Sequence, residues 1–236
     1  MEKLNFSDCT LSRMEETFGL IALEQMQSLN DWVTTDFVLT DFDKESVRRL
    51  CVTLQKNALH WNEYDLALHF IGPMLSLVDF TERYRFNLFG QRSIYANVQG
   101  IDLGGRTDEM IATGFRAPKL PFFAFNEYKK ETDPAPPDLP EGEEKRGDPA
   151  GQALAAMLVG QELNQKQGND FPIYGCYIVG ASWRFMVLQG KEYIISNTYD
   201  GLNLEDAQQI LRILYQLKDY CMQRTVPFIS TTNTLK

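Results

Sequence analysis

Three acids and one amine have the types and the spacing to perform metal-assisted chemistry. Glu127 and Lys129 stand two residues apart in PFFAFNEYKK, an aromatic-rich run that reads as a strand over residues 121–129. Side chains alternate along a strand, so Glu127 and Lys129 point to one side, with Phe123 and Phe125 expected beside them. A charged pair at the end of an apolar face is costly unless it has partners or a task. Asp108 lies 19 residues before Glu127, in a second strand-like segment over 105–114. If the two segments pair, Asp108 and Glu127 converge at one edge of the sheet. Close carboxylates repel unless a cation sits between them. Such sites hold magnesium through one or two carboxylates, with water and substrate phosphate filling the remaining positions. Glu63 is the third acid.

These side chains need a scaffold, and the hydrophobic pattern supplies one. Residues 10–33 read as helix in two pieces broken near Gly19, and residues 44–59 as a second helix, with Asp43 as its cap. A third helix begins after Asn62, with Asp65 in its first turn and a stripe of Leu66, Phe70, Met74 and Leu77. Glu63 falls at the N-terminal end of that stripe, and Pro73 is expected to kink the helix. Strands follow at 91–101, 105–114 and 121–129, with IDLGG as a turn between the first two. The acidic, Pro-rich segment 131–147 reads as a mobile loop. Asp148-Pro149 marks a helix start, with Asp as cap and Pro in the first position. Strands at 173–180, 182–189 and 191–196 precede a last helix over 204–222. The order implies an α/β fold with a mixed sheet covered by helices.

The pattern Asp-x(n)-Glu-x-Lys, set in this order of elements, resembles the PD-(D/E)XK nuclease superfamily. Its supporting residues run from WNEYDLALHFIGPML through NEYKKE and DPAGQALAAML to YGCYIVG. The chain is also similar to uncharacterised bacterial proteins of this layout. The resemblance implies a restriction-endonuclease-like core over 61–236, a central mixed β-sheet flanked by helices, with an α-helical N-terminal extension over 1–60. It further implies that Asp108 and Glu127 ligate Mg2+, with Mn2+ as an alternative, and that Glu63 adds a ligand or orients a water. Lys129 would position the attacking water or stabilise phosphate charge, and Gln152 would orient a water or a neighbouring side chain. The implied activity is metal-dependent hydrolysis of phosphodiester bonds in nucleic acid, DNA rather than RNA, in an enzyme that often works as a homodimer. Thr107 stands where the superfamily's nominal motif has proline.

Charge and cysteine content bound the alternatives. The net charge of −9 argues against a protein that coats duplexes with excess Lys and Arg. Yet residues 131–148 alone carry −5, leaving only −4 for the rest of the chain. Four scattered cysteines fit a reducing, cytoplasmic setting and no zinc finger. No apolar run is long enough to span a membrane. An acidic loop across the cleft would repel a phosphate backbone. The rival expectation is therefore a catalytically inactive member of the fold acting as a binding or regulatory module, and a third is an acidic mimic of nucleic acid. His60 and His69 read as structural or exposed, and Tyr177, Trp183 and Tyr193 as core or sheet-surface aromatics. Arg92, Arg106 and Arg184 are candidates for phosphate contacts that the sequence does not rank.

Overall fold

The computed structural model describes residues 2–129 and 148–225; Lys130 and the acidic segment 131–147 lie outside them. In chain order the main elements are β1 (Lys3–Asn5), α1 (Leu11–Phe18), β2 (Ile21–Ala22), α2 (Gln27–Val33), α3 (Asp41–Asn57), α4 (Glu63–Leu66) and α5 (Gly72–Val78). Then come β3 (Asn87–Gly90), β4 (Ser93–Val98), β5 (Ile101–Arg106), β6 (Glu109–Thr113), β7 (Lys119–Lys129) and α6 (Pro149–Gln165). β8 (Ile173–Val179), β9 (Ser182–Gln189), β10 (Glu192–Ile195), β11 (Tyr199–Asp200) and α7 (Leu204–Arg224) complete the described chain.

The fold is α/β. An eight-stranded mixed sheet runs β2-β10-β9-β8-β7-β6-β3, with β11 added beside β9. β7 and β8 are parallel, whereas β6–β7 and β8–β9 are antiparallel. β1, β5 and β4 form a separate three-stranded sheet. IDLGG is therefore strand rather than turn. Two adjacent glycines let it pack closely, since a Cβ at Gly104 would collide with Tyr95 and one at Gly105 with Phe6. The strand expected over 105–114 is accordingly divided, its first residues closing β5 and the remainder forming β6.

Helices cover both faces of the large sheet. On one face α2, α3, α5 and α7 bury Trp32, Leu54, Met74 and Leu214 against Ile111, Phe123 and Phe185. On the other, α1 and α6 pack Met14, Leu154 and Met157 against Met110, Phe125 and Met186. α6 buries thirteen of its seventeen residues, because it lies between the large sheet and the small one. Its glycines permit that approach: a Cβ at Gly160 would strike the Phe125 ring.

The N-terminal helices differ in detail from expectation. Thr40, not Asp43, caps α3; Asp43 lies three residues into the helix and closes a capping box, its carboxylate accepting from the Thr40 amide at 2.9 Å. Gly19, at φ 65°, ends α1 in the left-handed region. Pro73 is accommodated by a π-helical turn over Ala67–Ile71 between α4 and α5. Among the described residues, no helix is long and apolar enough to cross a membrane.

Candidate active site

The site lies where β6 begins and β7 ends. Glu109 pairs with Asn126 across the two strands, so Asp108 follows in register opposite Glu127. The backbone of Asp108 is tied down, its carbonyl accepting from the Gln91 amide at 2.6 Å. Its side chain crosses to β7, where Oδ2 accepts from the Tyr128 amide at 3.0 Å. There the Asp108 and Glu127 carboxyl groups lie close enough for each to bear on the other's charge.

Lys129 completes the cluster. Its Nζ lies 2.9 Å from Glu127 Oε1 and 3.8 Å from Glu63 Oε2. Glu63 occupies the first position of α4, fixed by a capping box in which Asn62 Oδ1 accepts from the Asp65 amide at 2.9 Å. The structure thus pairs Glu127 with Lys129, joins Glu63 to them through the amine, and sets Asp108 in register beside Glu127. Among the described residues, no set of three or more His, Cys, Asp and Glu side chains gathers at ligating distance. The donor pair itself, two hard carboxylates in register on neighbouring strands, suits an oxygen-seeking divalent cation such as Mg2+. Gln152 lies buried in the first turn of α6. Among the described residues, no hydrogen bond joins its amide to the carboxylates.

Burial and crowding set the protonation of the cluster. Glu127 is only 6% exposed. Burial, with the Asp108 charge beside it, pushes its carboxyl up to about 7 despite the opposing pull of Lys129. Burial also raises Asp108, against the Tyr128 amide and Lys129, which favour its charged form. Desolvation raises Glu63 as well, with Lys129 opposing.

Phe123 does not share the Glu127 side. The pairing of β6 with β7 slips between Ile111 and Ala112, leaving Phe123 as an extra residue that turns into the opposite core. Phe125 keeps to the α6 side with Met110. Pure alternation misses that bulge.

Sequence reasoning also missed Glu109. It faces away from Asp108, accepts from Asn126 Nδ2 at 3.2 Å, and is pushed by burial up to about 7. The signal was present in Asp108-Glu109 itself: adjacent acids where a strand begins take opposite faces, so only one of them could join the Glu127 side. His60 and His69 are exposed, His69 stacking on Trp61.

A scan against protein-family models finds no match to this chain, and a search of curated proteins finds none.

Proposed function

We propose that the protein is a metal-dependent nuclease with a restriction-endonuclease-like core, hydrolysing phosphodiester bonds in DNA. The observation that carries this reading is the register of Asp108 opposite the buried Glu127 at one end of β7, with an ammonium 2.9 Å from Glu127. Like charges forced together out of water favour a cation between them. The resemblance implies a helix, a meander of three strands, a helix and a further strand; β6, β7, α6 and β8 follow that order, whereas β4, the expected first strand of the meander, belongs to the other sheet. Asp108 and Glu127 would hold Mg2+ or Mn2+. A bound divalent cation supplies charge against the phosphoryl oxygens and acidifies water.

The remaining chemistry belongs to the side chains. Asp108 is oriented by the Tyr128 amide, so its carboxylate is preorganised. Lys129, with its Nζ 2.9 Å from Glu127, would offer its ammonium to the phosphate oxygens. Glu63, half-buried, lies 3.8 Å from Lys129 Nζ and would orient that amine.

Lys129 also favours a second reading. An ammonium bonded to Glu127 and near Glu63 already neutralises the cluster, as it would in an inactive member of the fold that serves as a binding module. Plasmid nicking in magnesium decides between them. The nuclease reading expects nicking by the native protein and none by Asp108→Ala or Lys129→Ala. Equal nicking by all three, or none by any, rejects it.

A further inference from the structure

The two carboxylates are one end of a longer row of side chains. β8 runs parallel to β7 with Tyr177 opposite Glu127, and β9 places Arg184 opposite Tyr177. Cross-strand partners share a face. Asp108, Glu127, Tyr177 and Arg184 therefore stand in line across four neighbouring strands, on the α6 side. The line continues to the residue before β11, where Arg184 Nε donates to Thr198 Oγ1 at 2.8 Å. Arg184 Nη1 also lies 3.5 Å from the Tyr177 hydroxyl.

Arg184 is exposed, and among the described residues no carboxylate pairs with it. Such a guanidinium is unusual in a chain with nine more acids than bases. Two hydroxyls hold it by Nε and Nη1, leaving about three of its five donors uncommitted. A guanidinium fixed in this way loses little entropy when it grips an oxyanion in two-point fashion. At roughly 4.8 Å per strand, Arg184 is about 10 Å from Glu127. That distance is within the span of a few nucleotides at roughly 3.4 Å of rise each. The row also lies toward the carboxyl ends of parallel β7 and β8, with Asp148, the N-cap of α6, close enough to bear on the Tyr177 hydroxyl.

We infer that Arg184, braced by Tyr177 and Thr198, is a backbone-phosphate subsite that holds the nucleic-acid strand a few nucleotides from the bond at Asp108 and Glu127. The inference rests on the nuclease reading for its substrate, and the row itself names the direction the strand takes, across β7, β8 and β9 rather than along them. Arg184 is a binding residue here, and the carboxylate pair remains the reacting centre.

Fluorescence anisotropy with a labelled DNA of about 20 nucleotides, single-stranded and duplex, in calcium and over a range of salt, tests it. Arg184→Gln is expected to weaken binding about three- to tenfold and to reduce the log-log salt slope by about 0.7 to 0.9, one phosphate's worth. Arg184→Lys should keep the slope, since the charge stays. Tyr177→Phe should also keep it, with a smaller loss of affinity. Arg49→Gln, an exposed α3 arginine already paired with Glu45, should change neither. Melting temperatures confirm that each variant is folded. A native-like affinity and slope in Arg184→Gln overturns the subsite while leaving the nicking result, and so the nuclease reading, untouched. An equal loss in Arg49→Gln overturns it by revealing a general charge effect. Failure of the native protein to bind either DNA overturns it together with the nucleic-acid reading.

Discussion

Two clusters in this molecule combine carboxylates with cations, and they behave in opposite ways. On α3, Glu45 meets Arg48 Nε and Nη2 at 2.8 Å each and Arg49 Nε at 2.8 Å, all in water. Those hydrogen bonds pull its carboxyl down to about 2. At the end of β7, Glu127 has its ammonium at 2.9 Å yet is pushed up to about 7. The contrast is not one of partner distance. Glu45 is solvated and faces two positive charges, whereas Glu127 is buried and shares its place with Asp108. Burial of like charges leaves an electrostatic deficit that one lysine does not cancel. An ordinary surface ion pair has no such deficit, and a divalent cation would gain little there.

The largest expected effect separates the clusters by activity. Asp108→Asn and Lys129→Ala should each lower DNA nicking by on the order of a hundredfold or more, the usual consequence of removing a preorganised charge from a reacting centre. Glu45→Gln should nick at the native rate. Loss of nicking in Glu45→Gln, with folding intact, would mean that the two clusters are not functionally distinct. Next in size is metal-linked stability. Saturating Mn2+ should raise the melting temperature of the native protein by several degrees, because a ligand bound only by the folded state stabilises it by mass action. Asp108→Asn should lose that increase and Glu45→Gln should keep it. An identical increase in all three would place the cation elsewhere.

Much of this contrast was legible before any coordinates. The Glu-x-Lys spacing on a strand puts both groups on one face whatever the fold, and Asn62 with Asp65 marks the helix start that carries Glu63. The i, i+3 and i, i+4 spacing of Glu45, Arg48 and Arg49 likewise needs only a helix. Other features depended on strand neighbours that no local pattern encodes. The bulge at Phe123 depends on the partner β6, and the Glu127–Tyr177–Arg184 line depends on β7 and β8 being parallel neighbours 40-odd residues apart. Gly104 and Gly105 resemble turn residues because glycine serves both turns and close strand packing, and only the presence of Tyr95 and Phe6 decides which. The α3 cap was displaced for a similar reason: Thr40 and Asp43 are both good caps, and the capping box uses both.

Protonation gives a third and smaller effect. Glu127 is raised from an ordinary value of 4.5 to about 7 in the folded protein, so its neutral form is the one that folding favours. Its contribution is full below about 4.5 and is lost as pH rises toward and through 7. Glu109, also raised to about 7, acts with the same sign. Without divalent cations, the native protein should lose a few degrees of melting temperature between pH 5 and pH 8, on the order of 2 kcal/mol. Glu127→Gln should flatten part of that slope, and Glu109→Gln another part. With Mn2+ present the native decline should shrink, because the deprotonated pair is the form that binds. A slope unchanged in both variants would show that neither carboxyl is held neutral.

The smallest effect completes the comparison from the solvated side. Glu45 is lowered, so its contribution has the opposite sign: it is present above the ordinary value of 4.5 and is lost as pH falls toward 2. It is also open to solvent on a helix surface, where ion pairs are screened and long side chains are costly to order. Glu45→Gln should therefore change the melting temperature only slightly at neutral pH and low salt, and not measurably at high salt. Glu127→Gln should keep its effect in salt, because ions do not reach a buried pair. The pH slope of Glu127→Gln, measured with and without added salt, is thus the direct control. If both variants proved equally sensitive to salt, burial would not be what distinguishes the clusters, and the case for a cation at Asp108 and Glu127 would lose its physical basis.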